Sequence, residues 1–417
     1  MPTLTIQGQH ALKGEVAISG SKNATLPIIA ACLLTKEPCV LSNVPNISDV
    51  HNMLKILEQL GAKTSYENHQ VFIEAKNIRK TNLHSEEINK MRASILVLGP
   101  LLARNKEVRM DFPGGCVLGK RSVHAHTHAL KKLGAEVVEE EENLQLKAAK
   151  LKGARIIMAE ASVTATENAV MAAVLAEGLT EIRWAAMEPH VQDLCNFLNK
   201  MGAKIEGIGT PVLKIQGVTE LNGANHEIIA DYLETGTLAL AGVLTNSNIT
   251  LTNTHSEDLD SFFQKLEEVG AKFSLKKDSI QIKPSKNWQA VEKLQTSVYP
   301  GFATDLQAPF TVLLTQAKGE SKIYETLFEG RLNYLFELQK MGAEIDIISP
   351  HQATIHGGKQ LKATEIASCD IRAGAAMVLA ALAAKGETRI SNIYYIDRGY
   401  EKLDEKLRSL GAKIKRD

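Results

Sequence analysis

The chain lacks most of the features that assign a protein to a class at sight. Aromatic residues make up only 5% of it, so no aromatic-basic stripe is available for stacking nucleic-acid bases. Lysine plus arginine equals aspartate plus glutamate at 48 each, which excludes a bulk field for polyanions. Any strong site has to come from local placement. The five cysteines, Cys32, Cys39, Cys116, Cys195 and Cys369, are odd in number and scattered, with no C-x-x-C pair and no metal-like spacing. Such a set argues against a disulfide framework and fits a reducing cytosol. Residues 1–7 hold no basic segment followed by an apolar one, and the longest small-apolar run, 373–384, is too short to span a bilayer. A soluble cytoplasmic protein without membrane or nucleic-acid partners is the expectation.

What the chain does have is a repeat. A helix-period segment ending in apolar-Gly-Ala, followed by a strand, recurs with its glycines at Gly61, Gly134, Gly202, Gly270, Gly342 and Gly411, spaced by 73, 68, 68, 72 and 69 residues. Each glycine stands where a helix C-cap favours a left-handed residue. Upstream of each lies a second helical segment, apolar nearly all round, at 24–34, 93–103, 168–176, 235–244, 306–315 and 373–384. A helix without a polar face is buried. After each cap come short alternating runs that read as strands, such as 211–217 and then 227–230. The last unit stops short of its return strands, and residues 4–8 and 14–19 resemble those runs closely enough to supply them.

The fold expected from this pattern is α/β, with six repeats of about 70 residues grouped as two domains of three, helices packed inside and mixed sheets outside. The domains would comprise residues 21–229 and residues 1–20 plus 230–417. Substrates commonly bind in the cleft between such domains.

Counting back from each capping glycine gives two recurring slots, one at each expected helix start. The first holds Lys22, Arg92, Asp231, Asp305 and Arg372, and the second holds Arg121, Glu188, Arg331 and Arg398. Only 13 of the 48 basic residues are arginine, yet five arginines and one lysine fill these slots. Arginine makes planar two-point contacts to phosphate and carboxylate. A cation at a helix N-terminus opposes the macrodipole, a cost that makes sense where an anion is bound. A small substrate with several negative groups is therefore expected. Between two repeats, Asp111 to Arg121 forms a Pro- and Gly-rich loop carrying Cys116 beside Lys120 and Arg121, cations that favour a reactive thiolate.

The segments Gly20-Ser21-Lys22-Asn23-Ala24, Met91-Arg92-Ala93-Ser94, Pro113-Gly114-Gly115-Cys116, Glu234-Thr235-Gly236-Thr237, Ala303-Thr304-Asp305-Leu306-Gln307 and Ile396-Asp397-Arg398-Gly399-Tyr400-Glu401 are similar, in order, to the motifs of the UDP-N-acetylglucosamine 1-carboxyvinyltransferases of the EPSP synthase superfamily. The resemblance implies two inside-out α/β domains. It also implies transfer of the enolpyruvyl group of phosphoenolpyruvate to the 3-hydroxyl of UDP-N-acetylglucosamine with release of phosphate, the first committed step of peptidoglycan synthesis, with no cofactor and no metal. On that resemblance Lys22, Arg121 and Arg398 hold the phosphate, and Arg331 and Arg372 take the carboxylate. Asn23 and Arg92 line the site, and Asp305 orients or deprotonates the sugar hydroxyl. Ser162, Val163, Glu188, Asp231, Thr304, Leu327 and Asp370 complete the substrate-binding set. Cys116 is implied as general acid toward the methylene carbon and as the target of the epoxide fosfomycin.

The chain departs from the family pattern where the uridine is expected. Ser122-Val123-His124-Ala125 follows Arg121 in place of the usual Pro and Asp, Glu160 and Ala161 replace a basic residue, Thr164 replaces a glycine, and Tyr232 follows Asp231 where arginine is frequent. His124, His126 and His128 alternate after the loop without an acidic partner, and are expected as surface or phosphate-side histidines rather than metal ligands. A catalytically idle UDP-sugar-binding regulator, and an enolpyruvyl transferase with another acceptor such as the shikimate-pathway enzyme, are the alternatives. Cys116 argues against the shikimate enzyme, and Cys116, Asp305 and the slot arginines against the regulator.

Overall fold

The computed structural model describes residues 2–78, 81–114 and 122–417. Cys116 and Arg121 lie outside the described residues. The six capping glycines all adopt the left-handed backbone, with φ between 88° and 108°, a region that costs an L side chain about 1 kcal/mol or more. The repeat is therefore written into the backbone at the positions its glycines mark.

Six four-stranded sheets share one pattern, an edge strand parallel to its neighbour and then two antiparallel pairings. In one of them Asn225–Glu227 runs parallel to Cys39–Ser42, which pairs antiparallel with Gln70–Glu74, itself antiparallel to Lys63–Glu67. The strands alternate buried and exposed residues, as in Gln70–Glu74 with Val71 and Ile73 inward, so each sheet covers a core on one face only. Under the sheets lie the apolar helices Lys22–Ala31, Leu98–Asn105, Val163–Ala173, Tyr232–Leu244, Thr304–Gln316 and Ile371–Ala383. Tyr232–Leu244 is buried along its whole length, as an all-apolar helix must be.

Five of these helices start two to five residues before the apolar runs in the sequence, because their first turns carry polar residues, among them Lys22, Thr164, Asp305 and Arg372. In the second repeat the segment is split into a 3-10 helix, Arg92–Val97, followed by Leu98–Asn105.

The described residues divide into two compact units, 2–19 with 230–417, and 20–229. Each has its own apolar core. The N-terminal strand Leu4–Gln7 is a central strand of the last sheet, antiparallel to both Glu387–Ser391 and Lys413–Arg416, so the return strand missing from the last repeat comes from the start of the chain. Lys13–Ala17 likewise lies parallel to Asn248–Thr252 as the edge strand of another sheet. Among the described residues no helix is long and apolar enough to cross a membrane.

Candidate functional site

The unit formed by 2–19 and 230–417 holds a charged cluster. Asp305 is the second residue of helix Thr304–Gln316, and its carboxylate bridges two guanidiniums, accepting from Arg331 Nη2 at 2.7 Å on Oδ1 and from Arg372 Nε at 3.1 Å on Oδ2. Both arginines are buried, and each is stacked at one face, Arg331 over Phe328 and Arg372 over Tyr400. Stacking leaves the edges of a guanidinium as the place where an anion can dock. Arg331 Nε and Arg372 Nη1 are buried without an acceptor among the described residues. A buried donor left in that state is costly unless something accepts from it. The cluster has donors to spare after Asp305 is served.

Beside it, Thr304 Oγ1 donates to Glu325 Oε2 at 2.8 Å, while Glu325 Oε1 accepts from the Leu327 and Phe328 amides at 2.9 and 3.2 Å. Glu325 thus fixes the Leu327 turn and leaves the Thr304 oxygen able only to accept. Sequence reasoning missed Glu325. A signal existed, since it follows its strand at the place where other repeats carry Asn43, Asn253 and Asn392. Asp231 and Asp370 serve as helix N-caps, each accepting from two amides of the first turn.

In the unit 20–229, Lys22 is the first residue of its helix and pairs with the buried Asp49 at 2.8 Å, with Asn23 next to it and partly buried. Arg92 opens the 3-10 helix and donates to the Ser122 carbonyl at 2.9 Å. Ser162 is the N-cap residue of helix Val163–Ala173, and Glu188 that of Pro189–Lys200. On the first of these helices Glu167 is buried; burial, with the Glu188 carboxylate adding to it, pushes its pKa well above the usual carboxylate range.

The positions of two slot arginines differ from the expectation of helix starts. Arg331 lies inside the 3-10 helix Glu329–Tyr334, and Arg398 is the C-cap of the short helix Tyr394–Asp397. The extra turn at 394–397 delays the next helix to Leu403–Ser409. At a C-terminal end the dipole favours a cation, so the argument from an unfavourable dipole holds for Lys22, Arg92 and Arg372 but not for Arg398.

Of the three histidines, His126 departs from the expectation of a surface position. Residues 124–132 form a helix, on which positions two apart face different ways while those four apart share a face. His124 and His128 accordingly lie 5.9 Å apart between ring centroids, whereas His126 turns inward and is 2% exposed. His126 Nδ1 meets Asn168 Nδ2 at 2.9 Å, and His126 Nε2 meets Thr164 Oγ1 at 3.3 Å. Burial, with the Arg92 guanidinium adding to it, pushes its pKa down to about 3. Among the described residues no group of His, Cys, Asp and Glu is placed to hold a metal ion.

The family model for EPSP synthase (3-phosphoshikimate 1-carboxyvinyltransferase) matches residues 6–407. The chain is 46% identical over 420 residues to the UDP-N-acetylglucosamine 1-carboxyvinyltransferase of Helicobacter acinonychis (strain Sheeba), covering 100% of this chain and 99% of that relative. It is 45% identical to the protein of the same name from Helicobacter pylori (strain ATCC 700392 / 26695), again over 100% and 99%. Among solved structures, the enolpyruvyl transferase NikO from Streptomyces tendae has a TM-score of 0.90 at 23% identity, covering 100% of this chain and 98% of that one. EPSP synthase from Acinetobacter baumannii has a TM-score of 0.78 at 17% identity, over 100% of both chains. These two structures speak for the fold.

Proposed function

The chain belongs to the EPSP synthase family, among its UDP-N-acetylglucosamine 1-carboxyvinyltransferases, and from that premise we propose that it transfers the enolpyruvyl group of phosphoenolpyruvate to the 3-hydroxyl of UDP-N-acetylglucosamine. The observation that carries the reading is Asp305 held between two buried, stacked arginines with donors left over. A carboxylate able to accept a proton, next to planar groups able to clamp a carboxylate, suits addition of an alcohol to an enol phosphate.

The proposed steps follow. Asp305 takes the proton of the sugar hydroxyl as its oxygen bonds to the central carbon of phosphoenolpyruvate. Cys116 gives a proton to the methylene carbon, and the double bond becomes single. Arg331 and Arg372 hold the carboxylate, and Lys22, Arg121 and Arg398 hold the phosphate, whose departure restores the double bond once the methyl carbon returns a proton. Asn23 and Arg92 line the same site. Ser162, Val163, Glu188, Asp231, Thr304, Leu327 and Asp370 contact the UDP-sugar, and a cytoplasmic location follows from those substrates.

The test is phosphate release from phosphoenolpyruvate with UDP-N-acetylglucosamine, beside shikimate 3-phosphate, for the wild type and Cys116→Ala. Release with the UDP-sugar alone, reduced in the variant, is expected. Release only with shikimate 3-phosphate, or none with either, would overturn the reading.

A further inference from the structure

Residues 398–402 join helix Tyr394–Asp397 to helix Leu403–Ser409 and carry Arg398, Tyr400 and Glu401. Helix Tyr232–Leu244 holds this segment at two points. The first is direct. Thr237 Oγ1 donates to the Leu233 carbonyl at 2.8 Å, so it accepts from the Tyr400 hydroxyl, 3.0 Å away, and the Tyr400 ring is the one stacked against Arg372.

The second runs through Ser19, from the other end of the chain. Its hydrogen-bond directions are fixed, because a lysine ammonium only donates and an ionised carboxylate only accepts. Lys406 Nζ donates to Ser19 Oγ at 2.7 Å and to Glu234 Oε1, and Ser19 Oγ donates to Glu401 Oε2 at 3.0 Å. The Ser19 amide donates to Glu234 Oε2 at 3.0 Å, and its carbonyl accepts from the Asp231 amide at 2.9 Å. Glu234 and Glu401 are 3% and 8% exposed, so these bonds lie where water does not weaken them. One hydroxyl therefore carries the pull of a cation to a second buried carboxylate.

We infer that Ser19 is a positioning residue for the phosphoenolpyruvate end of the site, acting through Glu401 on the segment that presents Arg398 and the Tyr400 ring. The inference rests on the proposed reaction. The UDP-sugar end is insulated from the hydroxyl, because Asp231 is held by the Ser19 carbonyl, which a side-chain substitution leaves in place.

The experiment measures steady-state kinetics and urea denaturation on wild type, Ser19→Ala, Ser19→Thr, Glu401→Ala and the double variant Ser19→Ala with Glu401→Ala. Wild-type turnover with UDP-N-acetylglucosamine comes first, and its failure strikes the proposed function rather than this inference. Given turnover, Ser19→Ala should raise the KM for phosphoenolpyruvate about fivefold or more, the scale of a lost hydrogen bond between charged groups. The KM for UDP-N-acetylglucosamine should stay within about twofold. Ser19→Thr keeps the hydroxyl and should stay within about twofold for both substrates. Glu401→Ala should raise the KM for phosphoenolpyruvate at least as much as Ser19→Ala, and the double variant should add little to it, since both remove the same link. An unchanged KM for phosphoenolpyruvate in a folded Ser19→Ala, equal rises for both substrates, a loss of stability that moves neither KM, or additive effects in the double variant would overturn the inference. If Ser19→Ala does not fold, Ser19→Cys, which keeps the side-chain shape but bonds weakly, takes its place in the same comparison.

Discussion

Two helix starts in different units solve one problem by opposite means. At Thr304 the surroundings are charged, and Glu325 accepts the hydroxyl's hydrogen bond while Asp305 sits between two arginines. At Thr164 the partners are neutral, and His126 Nε2 donates a hydrogen bond to the hydroxyl. One threonine is left an acceptor and the other a donor. The difference teaches that a charged cluster directs reactive groups at the risk of buried, uncompensated charge, whereas a neutral network directs them through tautomer and amide orientation.

The largest expected effect breaks the charged side. Asp305→Asn should lower kcat by roughly 10²–10⁴, the usual weight of a positioned base. It should also destabilise the fold by about 3 kcal/mol, because two buried guanidiniums lose their counter-charge. Kinetics with a denaturation curve check both, and a variant with near-normal kcat would remove Asp305 from the chemistry. Arg372→Lys keeps the charge but loses the planar fork, so the KM for phosphoenolpyruvate should rise about tenfold.

A subtler substitution makes one side imitate the other. In Glu325→Gln the amide oxygen keeps the Leu327 and Phe328 amides and the amide nitrogen faces Thr304, turning its hydroxyl outward as a donor like that of Thr164. The KM for the UDP-sugar should rise by about fivefold, of the order of one misdirected neutral hydrogen bond. An unchanged KM would mean the direction of Thr304 is immaterial.

The neutral side has a signature in pH. His126 is pushed down to about 3 in the fold and lies near 6.5 when unfolded, so below about 6.5 the unfolded chain binds the extra proton and stability falls as pH falls. Chemical denaturation between pH 7 and 5 should show a gentler decline for His126→Asn than for wild type; equal slopes would mean the histidine is protonated in the fold. The smallest effect probes the shared scaffold. Gly134→Ala and Gly342→Ala, at φ of +98° and +88° with no tight neighbours, should each cost about 1 kcal/mol, leaving function alike in both units.

The scaffold was the more legible part of the sequence, for a local reason. A left-handed cap glycine and an all-apolar helix are properties of a few adjacent residues, so Gly61 through Gly411 and the six buried helices could be read directly. The polar first turns hid the helix starts, since Lys22, Thr164 and Asp305 break the apolar pattern that marks a helix. The slots brought Asp305, Arg331 and Arg372 forward as a set, yet nothing in their spacing says that one carboxylate bridges both arginines. His126 and Asn168 lie 42 residues apart and Thr304 and Glu325 lie 21 apart, separations at which no periodicity speaks. Arg398 was misplaced because one added turn shifted the helix that the count assumed.

The strand Leu4–Gln7 also carries a consequence for biosynthesis. It belongs between Glu387–Ser391 and Lys413–Arg416, so it leaves the ribosome long before either of its partners. At roughly 5–20 residues per second the wait is about 20 s or more, while the unit 20–229 has its whole sequence far earlier. For that interval the strand is an unmatched edge, and its four-residue length, with Thr5 and Gln7 alternating with Leu4 and Ile6, limits its appeal to stray partners. One unit can fold as it is made, and the other closes only once Lys413–Arg416 has been made.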